Sequence, residues 1–84
     1  MVNRKRTQAH RDRPQPALGK AIRALRQKQG KTLKDLAPQA GVTWGTLGVI
    51  ERGEANPTWG TVRAIASALG VSIGELAKLT EKHE

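Results

Sequence analysis

Gly30, Gly41, Gly53 and Gly70 each close a stretch of helical apolar spacing, and Thr32, Thr43, Thr58 and Ser72 each stand where the next stretch begins. Glycine leaves a helix more readily than any other residue, through the left-handed conformation. A Ser or Thr hydroxyl accepts from the unpaired N–H groups of a first helical turn. Stops and caps in this order leave segments of two or three turns, which are marginal alone in water. Such segments can fold only by burying their apolar sides against one another.

The apolar positions say which sides those are. Leu18, Ile22 and Leu25 fall at i, i+4 and i+7, one face of a helix running to about Gln29. Leu33, Leu36, Ala37 and Ala40 make the buried side of a second helix, with Thr32 and Asp35 spaced for a capping box. Pro38 lies inside that helix, where it removes one backbone bond and is expected to strain the turn. Val42, Leu47 and Ile50 face inward around a third helix capped by Thr43, and Glu54-Ala55-Asn56-Pro57 reads as a loop. Val62, Ile65, Ala66 and Leu69 carry a fourth helix. Ser72 and Glu75 box the start of a fifth, with Ile73, Leu76 and Leu79. No segment alternates as a strand does. The expected architecture is an all-α bundle of five helices over residues 17–80, with a basic arm at 1–16 and a short tail at 81–84.

A domain of this size, 84 residues, leaves little room for an internal substrate cavity. There is no cysteine, which removes disulfides and thiolate metal sites. His10 and His83 lie near opposite ends with no ligand or triad spacing around them, so neither metal, cofactor nor catalysis is expected. No apolar run approaches the roughly 18 residues of a membrane span, and the charged start is not followed by the apolar core of a secretory signal. The expectation is a cytoplasmic protein with no small-molecule site.

Charge is the first positive clue. The formal net charge is +8, but residues 1–34 hold eleven Lys or Arg against one acid, whereas residues 35–84 hold four against six. A polyanion such as double-stranded DNA suits that gradient, since each neutralised phosphate releases counterions. A merely solvated basic tail is the competing reading. The tetrapeptide Thr43-Trp44-Gly45-Thr46 recurs as Thr58-Trp59-Gly60-Thr61, each copy at an expected helix start. The simplest account is one cap used twice.

The second and third expected helices, joined through Ala40-Gly41-Val42-Thr43, have the helix-turn-helix arrangement. From Leu18 to about Leu76 the sequence resembles the lambda-repressor-like, Cro/C1-type (XRE) helix-turn-helix domain. The matching stretches are Ile22-Arg23-Ala24-Leu25-Arg26, Leu36-Ala37 with Ala40-Gly41-Val42-Thr43, Ile50-Glu51-Arg52-Gly53, Asn56-Pro57-Thr58 and Ile65 to Val71. The resemblance implies a transcriptional regulator whose third helix, about 43–51, lies in the major groove, commonly as a dimer on a palindromic site. By position it implies base-facing Trp44, Gly45, Thr46 and Val49. It also implies backbone contacts from Thr32, Leu33, Lys34, Thr43, Arg52 and Asn56, and a structural pair between Arg26 and Glu51. The arm residues Arg4, Lys5 and Arg6 are candidates to lie along DNA.

The reading helix departs from the family pattern. Relatives often place Gln, Arg, Ser or Asn on its outer face, whereas the stripe here is Gly45, Gly48, Val49 and Arg52. Three readings stay open. Val49, Thr46 and Trp44 pack on thymine methyls while bare glycines allow close approach; or the arm does the reading; or the face has lost DNA and docks a protein, as an antitoxin-like module would. Non-specific DNA binding is a further alternative. Trp59 is expected in the core or against the backbone, and Leu76 with Leu79 to exceed what the core needs and to serve a dimer.

Overall fold

The computed structural model describes residues 14–84, which form five helices and, among the described residues, no strand. They are α1 (Pro16–Lys28), α2 (Leu33–Gln39), α3 (Trp44–Glu51), α4 (Trp59–Ala68) and α5 (Ile73–Glu81). The core takes one fully enclosed large side chain from each: Ile22, Leu36, Leu47, Ile65 and Leu76. Each such burial stabilises by about 1.5–3 kcal/mol, so the helices hold one another in place. Leu76 is 2% exposed and therefore belongs wholly to the core. Of the pair expected to be surplus, Leu79 alone is even half-exposed, and it too packs on the core.

The stops and caps work as local chemistry requires. Gly30, Gly41, Gly53 and Gly70 all have φ between 69° and 74°. Each helix so ended returns two N–H groups to its last-turn carbonyls: Gly41 to Pro38 and Val42 to Ala37 in α2, for instance. Thr32 and Ser72 form complete capping boxes with Asp35 and Glu75. Thr43 and Thr58 cap identically, each accepting from the N–H three residues on and bonding that residue's hydroxyl. The repeated tetrapeptide is thus one cap used twice.

Pro38 is accommodated without breaking α2. Its missing N–H would have served the carbonyl of Lys34, an exposed residue. The next turn is closed by the returning bonds of Ala40, Gly41 and Val42.

Two close approaches fix how α3 is presented. Gly19 of α1 is buried against the last turn of α3, where an added Cβ would fall 2.6 Å from the Glu51 carbonyl oxygen and as close to that of Ile50. Only a glycine lets α1 lie this near. At the start of α1, Pro16 sits under Gly53, and the N–H of Gln15 donates to the Ala55 carbonyl at 3.3 Å. The turn after α3 is therefore pinned to α1 at both ends. On the far side, Gln29 and Lys31 donate to the Leu69 and Ala68 carbonyls at 2.7 and 3.0 Å. They cap the negative end of α4.

Candidate nucleic-acid interface

The inward side of α3 carries Leu47, Ile50 and Glu51, all buried. What remains outside follows from the 100° step of a helix: Trp44, Gly45, Thr46, Val49 and Arg52 share the opposite arc. Trp44 is 57% exposed, Gly45 and Thr46 are exposed, and Val49 is half-buried without joining the side chains packed on the core. The face that the sequence assigned to bases is open.

Gly48 is not part of that open stripe. It is buried, and a Cβ there would lie 3.3 Å from Arg52 Nη1 and 3.8 Å from Leu33 Cδ1. The physical reason is the neighbouring helix: the first turn of α2 leans over α3 at this point, and helical spacing alone cannot show it. Gly45 differs, since a Cβ there would meet only the Thr43 hydroxyl at 4.0 Å. One bare glycine, not two, is available for close approach.

The first turn of α2 brings three predicted residues to the same place. Leu33 covers Gly48 and packs against the core. Lys34 holds its ammonium 5.6 Å from the centre of the Trp44 ring, a cation–π contact of about 0.5–1 kcal/mol at an exposed site. Thr32 is committed to its cap: its hydroxyl accepts from Asp35 N–H and its own N–H donates to the Asp35 carboxylate at 2.8 Å. The bond from the Thr32 N–H, and after it that from the Thr32 side chain, hold the Asp35 carboxyl below its ordinary range. Thr43 is committed likewise, donating to Thr46 Oγ1 at 2.8 Å while accepting from the Thr46 N–H.

Arg52, the single strong donor on the outer stripe, has a neighbour that sequence reasoning overlooked. Its Nε lies 3.3 Å from the Glu54 carboxylate, with both side chains more than half exposed. The signal was present two residues away, but only a turn through Gly53 brings the pair together. Asn56 is exposed in the loop between α3 and α4. It borders a shallow depression of about 330 Å³ lined by Thr46, Val49, Ala55, Pro57, Thr58 and Thr61. Nothing in the spacing of the sequence announces this depression, which the loop forms by folding back beside α3.

Arg26 and Glu51 meet as the resemblance implied, Nε to Oε2 at 2.7 Å and Nη2 to Oε1 at 2.9 Å, away from the open face. Trp59 is a correction. It is 63% exposed, not in the core, because it opens α4 one residue after the cap, on the outer side of the first turn. It edges a groove of about 390 Å³ between α4 and α5, with Leu18, Val62, Ile73 and Ala77. Arg4, Lys5 and Arg6 lie outside the described residues. Among the described residues no cluster of His, Cys, Asp or Glu is placed to hold a metal, and no helix is long and apolar enough to cross a membrane.

Comparison with known proteins agrees with this fold. The family model for the helix-turn-helix domain matches residues 17–79. The HTH-type transcriptional regulator DdrOP3 of Deinococcus deserti is 37% identical over 60 residues, 71% of this chain and 46% of that protein. The uncharacterized HTH-type transcriptional regulator YazB of Bacillus subtilis is 37% identical over 59 residues, 70% of this chain and 86% of that protein. Among solved structures, the clp gene regulator ClgR of Corynebacterium glutamicum superposes with a TM-score of 0.78 at 31% identity, covering 81% of this chain and 72% of that one. The chain spans less than half the length of several of the curated relatives it matches.

Proposed function

The chain belongs to the helix-turn-helix domain family, with a lambda-repressor-like five-helix fold, and from that premise we propose that it regulates transcription by binding double-stranded DNA. The observation that carries this reading is the open outer face of α3, flanked by Lys34 and Arg52. α3 enters the major groove with Trp44, Gly45, Thr46 and Val49 toward the bases. Lys34, Arg52 and Asn56 lie toward the phosphates, joined by the α2 and α3 starts at Thr32, Leu33 and Thr43. The mechanism is steric: an occupied operator blocks or recruits polymerase, with no catalysis and no cofactor. Such a partner places the protein in the cytoplasm.

The competing readings fit the surface less well. A face kept only for docking a protein has no need of cations at its borders. A purely non-specific binder has no need of a rigidly pinned reading helix.

The basic arm supplies further backbone contacts through Arg4, Lys5 and Arg6. Deleting residues 1–13 is expected to weaken binding and to flatten its log–log salt dependence by about 0.9 for each phosphate that is no longer neutralised. Two copies bind together through α4 and α5, where the exposed Trp59 edges an apolar groove on elements other than α3. Their two reading helices then meet half-sites one helical turn apart, roughly 34 Å.

The test is selection of bound duplexes from a random library, followed by competition against random DNA. A regulator prefers its selected site by roughly 10³-fold or more. A ratio near unity rejects sequence-specific regulation.

A further inference from the structure

Between Trp44 and Glu51 the polar side-chain groups of α3 are few: the Trp44 indole, the Thr46 hydroxyl and the Glu51 carboxylate. Glu51 is buried and held by Arg26. The Thr46 hydroxyl accepts from Thr43 at 2.8 Å, which turns its methyl branch away from the cap and leaves its O–H as a single donor. Arg52 is drawn toward Glu54, and its Nη1 lies over Gly48, to the side of the open stripe. The two-pronged side chains usual for reading base edges are therefore missing from the centre of the face.

What occupies the centre is apolar and close-fitting. Gly45 has empty space where a side chain would stand, so backbone can approach a base edge. Beside it, Val49 is half-buried without serving the core, and both Val49 and Thr46 form one wall of the depression completed by Ala55 and Pro57. In the major groove the one apolar group that a base edge presents is the methyl on C5 of a pyrimidine.

Resting on the DNA-binding reading above, we infer that α3 recognises 5-methylpyrimidines, with Val49 and Thr46 packing on the methyl group and Gly45 admitting it. Discrimination is then by shape and burial. It does not depend on the O4 or N4 atom beside the methyl, so thymine and 5-methylcytosine are both ligands of the site. Burying one methyl is worth about a fourfold change in affinity.

The test uses the full chain and the duplex selected above, synthesised in four forms. In the first pair, deoxyuridine replaces thymidine across the site. In the second, the same positions carry cytosine or 5-methylcytosine opposite guanine. Uridine is expected to weaken binding by about fourfold for each contacted methyl, hence about tenfold or more where two are removed. The methylated cytosine duplex is expected to exceed its unmethylated partner by a similar factor. An effect in both arms assigns the contact to the methyl whatever the base; a penalty in the uridine arm alone overturns the inference for 5-methylcytosine. Val49→Ala should shrink the thymidine-to-uridine ratio toward one, with its fold checked by thermal melting. Equal affinities for the thymidine and uridine duplexes, within twofold, overturn the inference altogether, as does a full ratio retained in Val49→Ala. A library that yields no selected duplex overturns the sequence-specific reading on which the inference rests, and the two failures are thereby told apart.

Discussion

Arg26 and Glu51, 25 residues apart, form a two-pronged ion pair between α1 and the last turn of α3, and the remaining Arg26 Nη1 donates to the Lys31 carbonyl at 2.8 Å. Only 12% and 5% of the two side chains is exposed. The hydrogen bonds to Glu51 raise the Arg26 guanidinium above its ordinary value, against a smaller opposing effect of burial. Removing one partner strands the other: Glu51→Leu or Arg26→Met alone is expected to cost about 3 kcal/mol in urea unfolding. The double variant is expected to recover most of that loss, since two apolar side chains of similar size leave no buried charge. Additive losses in the double variant would show that the pair is not coupled.

Gly19 and Gly45 make a matched pair of tests. Gly19→Ala drives a methyl into the carbonyls of Ile50 and Glu51, and a loss of about 1–3 kcal/mol is expected. Gly45→Ala meets open space and adds helix propensity, so thermal stability should rise by up to about 1 kcal/mol. Yet Gly45→Ala should bind operator DNA more weakly, because the added methyl holds the backbone off the bases. A variant both more stable and unimpaired in binding would show that α3 does not press on the duplex at this point.

Glu54 restrains Arg52. Glu54→Gln should release the guanidinium to a phosphate, tighten DNA binding and steepen the log–log salt dependence by about 0.9. Arg52→Ala should flatten the slope by the same amount. Titrations at several salt concentrations read both directly, and an unchanged slope in each places Arg52 off the backbone.

Trp59 and Trp44 are both exposed, on different elements, and separate the two surfaces. Trp59→Ser is expected to shift sedimentation toward the monomer and to weaken operator binding through loss of the second half-site. Trp44→Ser should leave the oligomeric state alone and weaken binding within each half-site. Equal sedimentation of wild type and Trp59→Ser would remove α4 and α5 as the dimer surface.

Acid should loosen the start of α2 before the rest of the fold. The Asp35 carboxyl is held below its ordinary value of 3.8 by its bonds to Thr32. Folding therefore favours its ionised form. Its contribution is full above the ordinary value and disappears as pH falls through the lower, folded one. Protection of the first-turn amides of α2, measured against their intrinsic exchange rates at each pH, is expected to fall over that window. In Asp35→Asn the fall should be absent, and a retained one would point to another group.

Local signals in the chain were sufficient for the elements. Gly30, Gly41, Gly53 and Gly70 stop helices because a residue without Cβ reaches positive φ freely, and Thr32, Thr43, Thr58 and Ser72 start them because a hydroxyl satisfies a first-turn N–H. Both effects act within a few residues, so they can be read along the sequence. The inward positions Ile22, Leu36, Leu47 and Ile65 follow from the same short-range periodicity. The pairing of Arg26 with Glu51 came from the family resemblance instead, since nothing local joins two helices.

Tertiary structure decided everything that depends on a neighbour from another element. Periodicity put Gly48 on the open stripe, but α2 leans Leu33 across it. Apolar character offered Trp59 to the core or to the backbone, and a place on the outer first turn of α4 rules out the core and leaves it in solvent. The depression beside Val49, the grip of Glu54 on Arg52 and the seat of Lys34 over Trp44 arise from packing angles and loop paths. Those are set by the sum of many weak contacts across the whole core, and no window of sequence contains that sum.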